Sequence, residues 1–316
     1  MTRYIIDCDP GHDDAMAILY AAKHLDVVGL TTVAGNSSLE NSTRNALAIC
    51  TLAGLRLPVA PGLDRALIEP PLDGAYVHGA TGIDGADLPA PGYDPLDRHA
   101  VDFIIETAKA APGELSLIAI GPLSNVALAL RLEPRLAGWL KSIAIMGGST
   151  TSGNRTPYAE FNIVCDPEAA AIVFGAGVPL SMVGLNVTRQ AGIAERHIAR
   201  LREGGGRVSA VMADLLAFYL AKMQERYGTP TAAMHDPCAV IPLVKPGLIT
   251  FQALPVHIEL GEGPLRGMTA CDSRPMRRDH DQPGASRPAN CDVAVAVDGE
   301  ACVDAVIDTI LGYDRP

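Results

Sequence analysis

Short apolar runs alternate with longer stretches of helical periodicity along most of the 316 residues. The pattern predicts strands over 4–8, 27–33, 115–120, 142–146 and 180–185, and helices over 13–23, 39–54, 122–132, 167–175 and 207–227. The strand segments are almost continuously apolar and do not alternate, which is the signature of strands buried on both faces. A helix follows each strand in turn, so the sheet is expected to be mostly parallel and covered on both sides. Pro122 stands in the first turn of its helix and Gly54 closes another, as capping preferences dictate. Beyond residue 250 the rhythm changes. Short strands over 254–260, 268–271 and 293–297 follow one another, in an order open to antiparallel pairing, before a closing helix over 300–311. The fold class is therefore α/β, an open Rossmann-like sheet flanked by helices with some antiparallel strands near the C-terminus. Length alone suggests about two domains. No low-complexity linker or internal repeat divides the chain, and residues 1–316 read as a single domain.

Two segments lack any period. Residues 63–99 are rich in Gly, Pro and Asp, and residues 272–290 hold Pro275, Pro283, Pro288 and a mixed charge run. Both are long for structureless connections, and loops of that length often carry function. For the second, a solvated surface loop is the plainer reading.

Composition narrows the function by exclusion. The formal charge of −11 disfavours nucleic-acid polymers and anionic membranes, both of which reward basic faces. Aromatic residues make up only 4%, with Trp139 the one tryptophan, so stacking platforms for single strands are not expected. The seven cysteines are odd in number, widely spread and free of any CxxC spacing, which fits neither a disulfide framework nor a zinc cluster. Buried free thiols in a reducing compartment are the simpler reading. The first residues lack the apolar core of a signal peptide, and no apolar run approaches the ~18 residues of a membrane span. The chain reads as cytoplasmic and soluble.

Candidate chemistry concentrates at strand ends. Asp7-Cys8-Asp9-Pro10-Gly11-His12-Asp13-Asp14 spans the turn from the first strand to the first helix. In open parallel sheets the ligand crevice lies outside the carboxyl ends of the strands. Four aspartates in eight residues repel one another. The helix dipole eases Asp13 and Asp14 by only ~0.3–1 kcal/mol each, and a helix cap needs one aspartate, not four. A hard cation with oxygen ligands would remove the conflict. Pro10-Gly11 supplies the turn that can fold Asp9 back toward the other two. Asn36, Gly121–Asn125, Gly147-Gly148 and Asn186 fall at equivalent strand ends, and Ile120 ends its strand with a carbonyl expected to be unpaired. Further on, Glu160 and Asn162 flank Phe161, so an extended segment would point both the same way. His235-Asp236-Pro237 places a proline in a first helical turn, Asp236 at its N-cap and a histidine just before it.

These blocks carry a resemblance. Asp9-Pro10-Gly11-His12-Asp13-Asp14, Asn36, the stretch from Asn154 to Asn162, and His235-Asp236-Pro237-Cys238 are similar in order and spacing to the signatures of the inosine–uridine-preferring nucleoside hydrolases. The likeness runs over about residues 3–312. It implies a Ca²⁺ cofactor held by Asp9, Asp14, the Ile120 carbonyl and Asp236, with Asp9 activating a water bound to it. It places Asp13 and Asn162 on the ribose 2′-hydroxyl, Asp236 on the 2′/3′ diol, Asn154 and Glu160 on the 5′-hydroxyl, and Asn36 and Met146 beside the sugar. His235 would face the departing base, and His78 resembles a pocket-lining element of a closing loop. The resemblance also implies a homo-oligomer, a dimer or tetramer, and a small ribonucleoside as substrate. Salvage and catabolism of nucleosides both fit.

The residue types suit that reaction on their own terms. Cleaving an N-ribosidic bond passes through an oxocarbenium-like sugar, which a ring of acids and amides stabilises. A base leaves poorly as an anion, and His235, with an ordinary histidine pKa near 6.5, can protonate it. Tyr219, Met223 and Tyr227 recur at i, i+4 and i+8, on one helix face, either as a core stripe or as a base contact. Two rival readings are a non-catalytic ribose- or nucleoside-binding protein and a haloacid-dehalogenase-type phosphohydrolase. The binding protein would need neither an acidic cluster nor His235. The phosphohydrolase expects Thr or Val where Gly11 stands. No GxGxxG, GxxxxGK[ST] or GxSxG occurs, so dinucleotide, P-loop and serine-hydrolase chemistry find no motif.

Overall fold

The computed structural model describes residues 2–72, 74–274 and 288–315. Its strands are β1 (Arg3–Cys8), β2 (Asp26–Thr32), β3 (Val59–Pro61), β4 (Leu115–Ala119), β5 (Leu140–Met146), β6 (Leu180–Val183), β7 (Gly192–Ile193), β8 (Ala232–Ala233), β9 (Ile249–Leu254), β10 (Val256–Ile258), β11 (Thr269–Cys271) and β12 (Cys291–Val297). The helices are α1 (His12–His24), α2 (Leu39–Leu52), α3 (Ala75–His78), α4 (Ala100–Ala110), α5 (Ser124–Leu132), α6 (Leu136–Trp139), α7 (Phe161–Cys165), α8 (Pro167–Phe174), α9 (Leu185–Thr188), α10 (Glu195–Gly204), α11 (Arg207–Tyr227), α12 (Pro237–Val244) and α13 (Gly299–Leu311).

Eight strands form one sheet in the order β3-β2-β1-β4-β5-β6-β12-β9. All neighbours are parallel except β12 and β9. The α/β class with a mostly parallel sheet is therefore present as expected. Successive residues of β1 serve opposite faces: Ile6 packs into one apolar core and Ile5 into the other. Burial on both faces is the reason these strands read as continuous apolar runs. The strand order reverses between β1 and β4, which opens a crevice at their carboxyl ends.

The C-terminal strands differ in detail from the periodic reading. Pro255 has no N–H to give a ladder, and it breaks the run expected over 254–260. The chain before it, β9, pairs with β12 on the large sheet, and the chain after it, β10, pairs antiparallel with β11 in a separate ribbon. The strand expected over 180–185 ends at Val183, because Gly184 caps the short helix α9. Strand β3 and helices α4 and α10 were not among the expected elements. Residues 63–72 and 74–99 belong to the long irregular connection anticipated, interrupted by α3. Of the loop expected over 272–290, residues 275–287 lie outside the described residues.

Candidate active site

The crevice beside β1 and β4 opens into a cavity of about 460 Å³. Asp13 of α1 and Asp236 at the start of α12 line its floor, and Asp9 and Asp14 are buried behind them. Asp14 folds back as the Pro10-Gly11 turn requires: one oxygen accepts from the Asp9 amide at 3.3 Å, the other from the Gly11 amide at 2.9 Å and the Asn36 side chain at 3.3 Å. Asp9 Oδ2 accepts from the Asn36 amide at 2.7 Å, whereas its buried Oδ1 has no hydrogen-bond partner. Carboxylate oxygens of Asp13, Asp14 and Asp236 lie within 4.8 Å of one another. Asp236 is the N-cap of α12 in position, yet its side chain makes no capping bond and joins the aspartates instead. Two glycines allow this crowding. A Cβ on Gly35 would sit 2.1 Å from Asp9 Oδ2, and one on Gly121 would sit 2.6 Å from Oδ1.

All four carboxyls are at least 95% buried, and none forms an ion pair among the described residues. Burial, then mutual repulsion, pushes Asp13 up to about 7. Burial lifts Asp14 to about 6, against the amides it accepts from. Asp9 and Asp236 are driven well above the usual carboxylate range, first by burial and then by neighbouring aspartates. An orphaned buried oxygen within an all-oxygen, uncompensated cluster is what a hard divalent cation completes, so the residues fit such an ion. One expectation needs correction. The Ile120 carbonyl is not unpaired, because Asn162 Nδ2 donates to it at 3.0 Å. A second lone pair remains on that oxygen.

The next wall is built by residues 146–162. The segment around Phe161 is not extended as expected: Glu160 is the N-cap of α7 and Asn162 lies within the helix. The two side chains still meet the cavity. Glu160 accepts from the Gly148, Asn162 and Ile163 amides at 3.0, 2.9 and 3.2 Å, so it faces the cavity from a fixed position. Its burial outweighs those amides and pushes its pKa up to about 7. Asn162 is fixed by donating to both the Ile120 and Met146 carbonyls. Met146 lines the same wall, and Asn154 stands at the exposed rim. Asn186 is drawn away from the cavity, bonding the Thr150 amide and the Ala294 carbonyl as a brace.

The opposite wall is aromatic and basic in type. Tyr219 and Met223 are buried and Tyr227 is half exposed, yet all three line the cavity, so the helix face serves core and pocket together. His235 Nδ1 lies 2.7 Å from the Thr188 hydroxyl. Burial and the Arg189 guanidinium lower its pKa to about 4. His78 is likewise held neutral by burial, then by His12 and His235. At the mouth, Tyr76 of α3 lies under both the Arg155 and the Arg226 guanidinium, 5.1 and 4.3 Å from the ring centre. Thr188, Arg189 and Tyr76 carried no sequence signal, since each acquires its place only through long-range packing.

The family model described as inosine-uridine preferring nucleoside hydrolase matches residues 4–304. The chain belongs to that family. A pyrimidine-specific ribonucleoside hydrolase, RihB, of Escherichia coli O157:H7 is 37% identical over 98% of this chain and 97% of its own. A solved purine-preferring ribonucleoside hydrolase from Gardnerella vaginalis superposes with a TM-score of 0.91 at 31% identity, covering 99% of both chains. A plant nucleoside hydrolase, PpNRh1, gives a TM-score of 0.90 at 31% identity over 100% of this chain and 99% of its own. The protein is thus a ribonucleoside hydrolase, an enzyme of N-glycosidic bonds, and its family generally uses a metal ion. No helix among the described residues is long and apolar enough to cross a membrane.

Among the described residues, this nucleoside hydrolase has one other group of potential metal ligands, His197, Glu300 and Asp304, between α10 and α13. It does not have the character of the floor. Arg196 pairs with Glu300 at 2.5 Å, and Arg200 pairs with Asp304 at 3.1 Å. His197 Nδ1 accepts from the Ala194 amide at 3.0 Å, so its Nε2 carries the proton and has no lone pair to give a metal. The group is an interhelical ion-pair network.

Proposed function

We propose that the cavity hydrolyses the N-glycosidic bond of ribonucleosides with water, releasing free base and ribose. The observation that carries this reading is the buried carboxylate floor facing a wall of neutral imidazoles across one cavity. Asp9, Asp14, Asp236 and the second lone pair of the Ile120 carbonyl would hold a divalent cation, Ca²⁺ in this reading. When bound, such an ion supplies positive charge that grips the sugar diol and acidifies water.

The chain's own groups divide the remaining work. Asp9, with an oxygen left free, takes the proton of the attacking water and aims it at the anomeric carbon. Asp13 and Asn162 bind the 2′-hydroxyl, and Asp236 binds the diol. Asn36 and Met146 hold the sugar laterally. Asn154 and Glu160 take the 5′-hydroxyl, and the ionised carboxylates around the ring favour the cationic sugar of the transition state. His235 delivers a proton to the base as the bond breaks, and Tyr227 and His78 contact that base. Because His235 is lowered to about 4, the imidazolium form is scarce at pH 7, and an imidazolium acid in the free enzyme predicts kcat/KM declining as pH rises above about 4. The single-domain organisation from residue 1 to 316 belongs to the same reading, since the floor joins Asp9 to Asp236 across one sheet. So do a dimeric or tetrameric assembly and a cytoplasmic setting.

The test is a panel of inosine, uridine, cytidine, adenosine and guanosine scored by free ribose, with and without chelator. Ribose release that is lost on chelation and restored by Ca²⁺ supports the reading. Tight nucleoside binding without ribose release would favour a binding protein instead.

A further inference from the structure

His12 lies in the middle of the aspartate motif but faces away from it. Its ring is fully buried and reaches two partners. Nε2 lies 2.8 Å from the Asp84 carbonyl oxygen, and Nδ1 lies 2.9 Å from His78 Nδ1. The two ring centres lie 5.2 Å apart with planes within 22°, which is about the 2.9 Å contact plus the reach from each centre to its own nitrogen, so the contact runs close to the plane of both rings. Phe218 and Tyr219 lie parallel to His12, at 11° and 9°, and prevent it from turning.

Hydrogen-bond accounting then fixes the protons. A carbonyl oxygen can only accept, so His12 Nε2 carries a proton. In a neutral ring that leaves His12 Nδ1 with a lone pair. One proton must lie between two nitrogens 2.9 Å apart, and it therefore belongs to His78 Nδ1. The opposite arrangement would set a bare His12 Nε2 against the Asp84 oxygen at 2.8 Å, lone pair to lone pair. The His12 amide also approaches His78 Nδ1, but at 3.5 Å it is the weaker contact. His78 Nε2 has no partner among the described residues, and the His78 ring lines the cavity.

We propose that His12 is a positioning residue that locks His78 as its Nδ1–H tautomer, so that His78 meets the substrate through a bare, hydrogen-bond-accepting Nε2. The inference rests on the reading of this cavity as the nucleoside site. It sharpens that reading: the group facing His78 must be a donor, an N–H of the base or an O–H of the sugar, and His78 is not a proton donor to the leaving base. The chain Asp84 carbonyl–His12–His78 runs from the loop after α3 to the pocket, so it ties the tautomer to the position that loop holds here.

The direct test is long-range ¹H–¹⁵N NMR on protein labelled at its histidines, with His78 assigned by its loss in His78→Gln. The expected result is a protonated Nδ1 and an unprotonated Nε2 in His78. A protonated Nε2 overturns the proposal. In His12→Phe the tautomer signals of His78 should become averaged, and KM for the preferred nucleoside should rise about 10–100-fold with kcat little changed, as for a lost ground-state hydrogen bond. His12→Asn, whose oxygen can stand where Nδ1 stood, should recover most of the tautomer bias and most of the KM. Equal loss in Asn and Phe variants, with the wild-type His78 tautomer retained in both, contradicts the positioning role. The NMR result needs no activity. If no nucleoside is cleaved, the proposed function fails while the tautomer stands; if ribose is released but Nε2 is protonated, only this inference fails.

Discussion

The floor and the far wall of the cavity are equally buried and respond in opposite directions. On the floor, burial raises Asp13 to about 7 and Asp14 to about 6. On the wall, burial lowers His12 and His235 to about 4. Both shifts have one cause, the cost of holding charge away from water. The consequences differ because the partners differ. The wall histidines bond one another and nearby hydroxyl and carbonyl groups as neutral rings, so their wall holds no uncompensated charge and leaves His78 Nε2 as an acceptor for a ligand. The carboxyls have amides for some oxygens and nothing for others, with Asp9 Oδ1 bare. A buried site that is incomplete in charge calls for an ion; one that is already neutral reads the shape and donor pattern of what enters.

This contrast breaks most sharply at Asp9. Asp9→Ala should cut ribose release by about 10²–10⁴-fold, the usual worth of a general base, while circular dichroism remains native. Full activity in that variant would remove the proposed water activation. His235→Ala comes next, at about 10²-fold on natural nucleosides and much less on p-nitrophenyl riboside, whose leaving group needs no proton. Equal losses on both substrates would end the acid role. Glu160→Gln, on the sugar side, should raise KM by about tenfold with a small change in kcat, because Gln keeps the shape but loses the charge-assisted acceptor. A change confined to kcat would place Glu160 in the chemistry instead.

The smallest effect distinguishes floor from wall through pH. The floor acids and Glu160 have native pKa values above their unfolded ones, so they bind extra protons when folded. Their stabilisation is complete below about pH 4 and is lost as pH rises to about 7. The wall histidines have native values below their unfolded 6.5, so their contribution is present above that pH and is lost as pH falls toward 4. Between pH 4 and 6.5 the two oppose each other; above 6.5 only the acids, on the floor and at Glu160, still change. The chelated protein should therefore lose a few degrees in Tm from pH 6.5 to 7.5, and Ca²⁺ should reduce that slope to the part that Glu160 contributes. A rising Tm over the same interval in chelator would contradict the assignment.

How much of this was readable from sequence followed distance along the chain. The sheet was legible because each strand is short, apolar and buried on both faces, and the Asp9-to-Asp14 turn because its crowding is local. The meeting of Asp236 with those aspartates was legible only through family resemblance, since the two blocks are separated by almost the whole sheet. The partner of the Ile120 carbonyl was not legible, because Asn162 arrives 42 residues later on a helix whose N-cap, Glu160, made the segment look extended. His12 was visible as part of a motif, but its bond to His78 spans 66 residues and depends on how the loop carrying α3 folds over it.

The central claim, that the floor is completed by a divalent cation, is tested most directly by calorimetric titration of Ca²⁺ into chelator-stripped protein at pH 7. Repeating the titration in two buffers of different ionisation enthalpy measures the protons released. The account predicts one saturable site whose filling expels protons from carboxyls raised to about 6–7, and loss of that site in Asp14→Asn. Absence of saturable binding, or binding unchanged in Asp14→Asn, would contradict it.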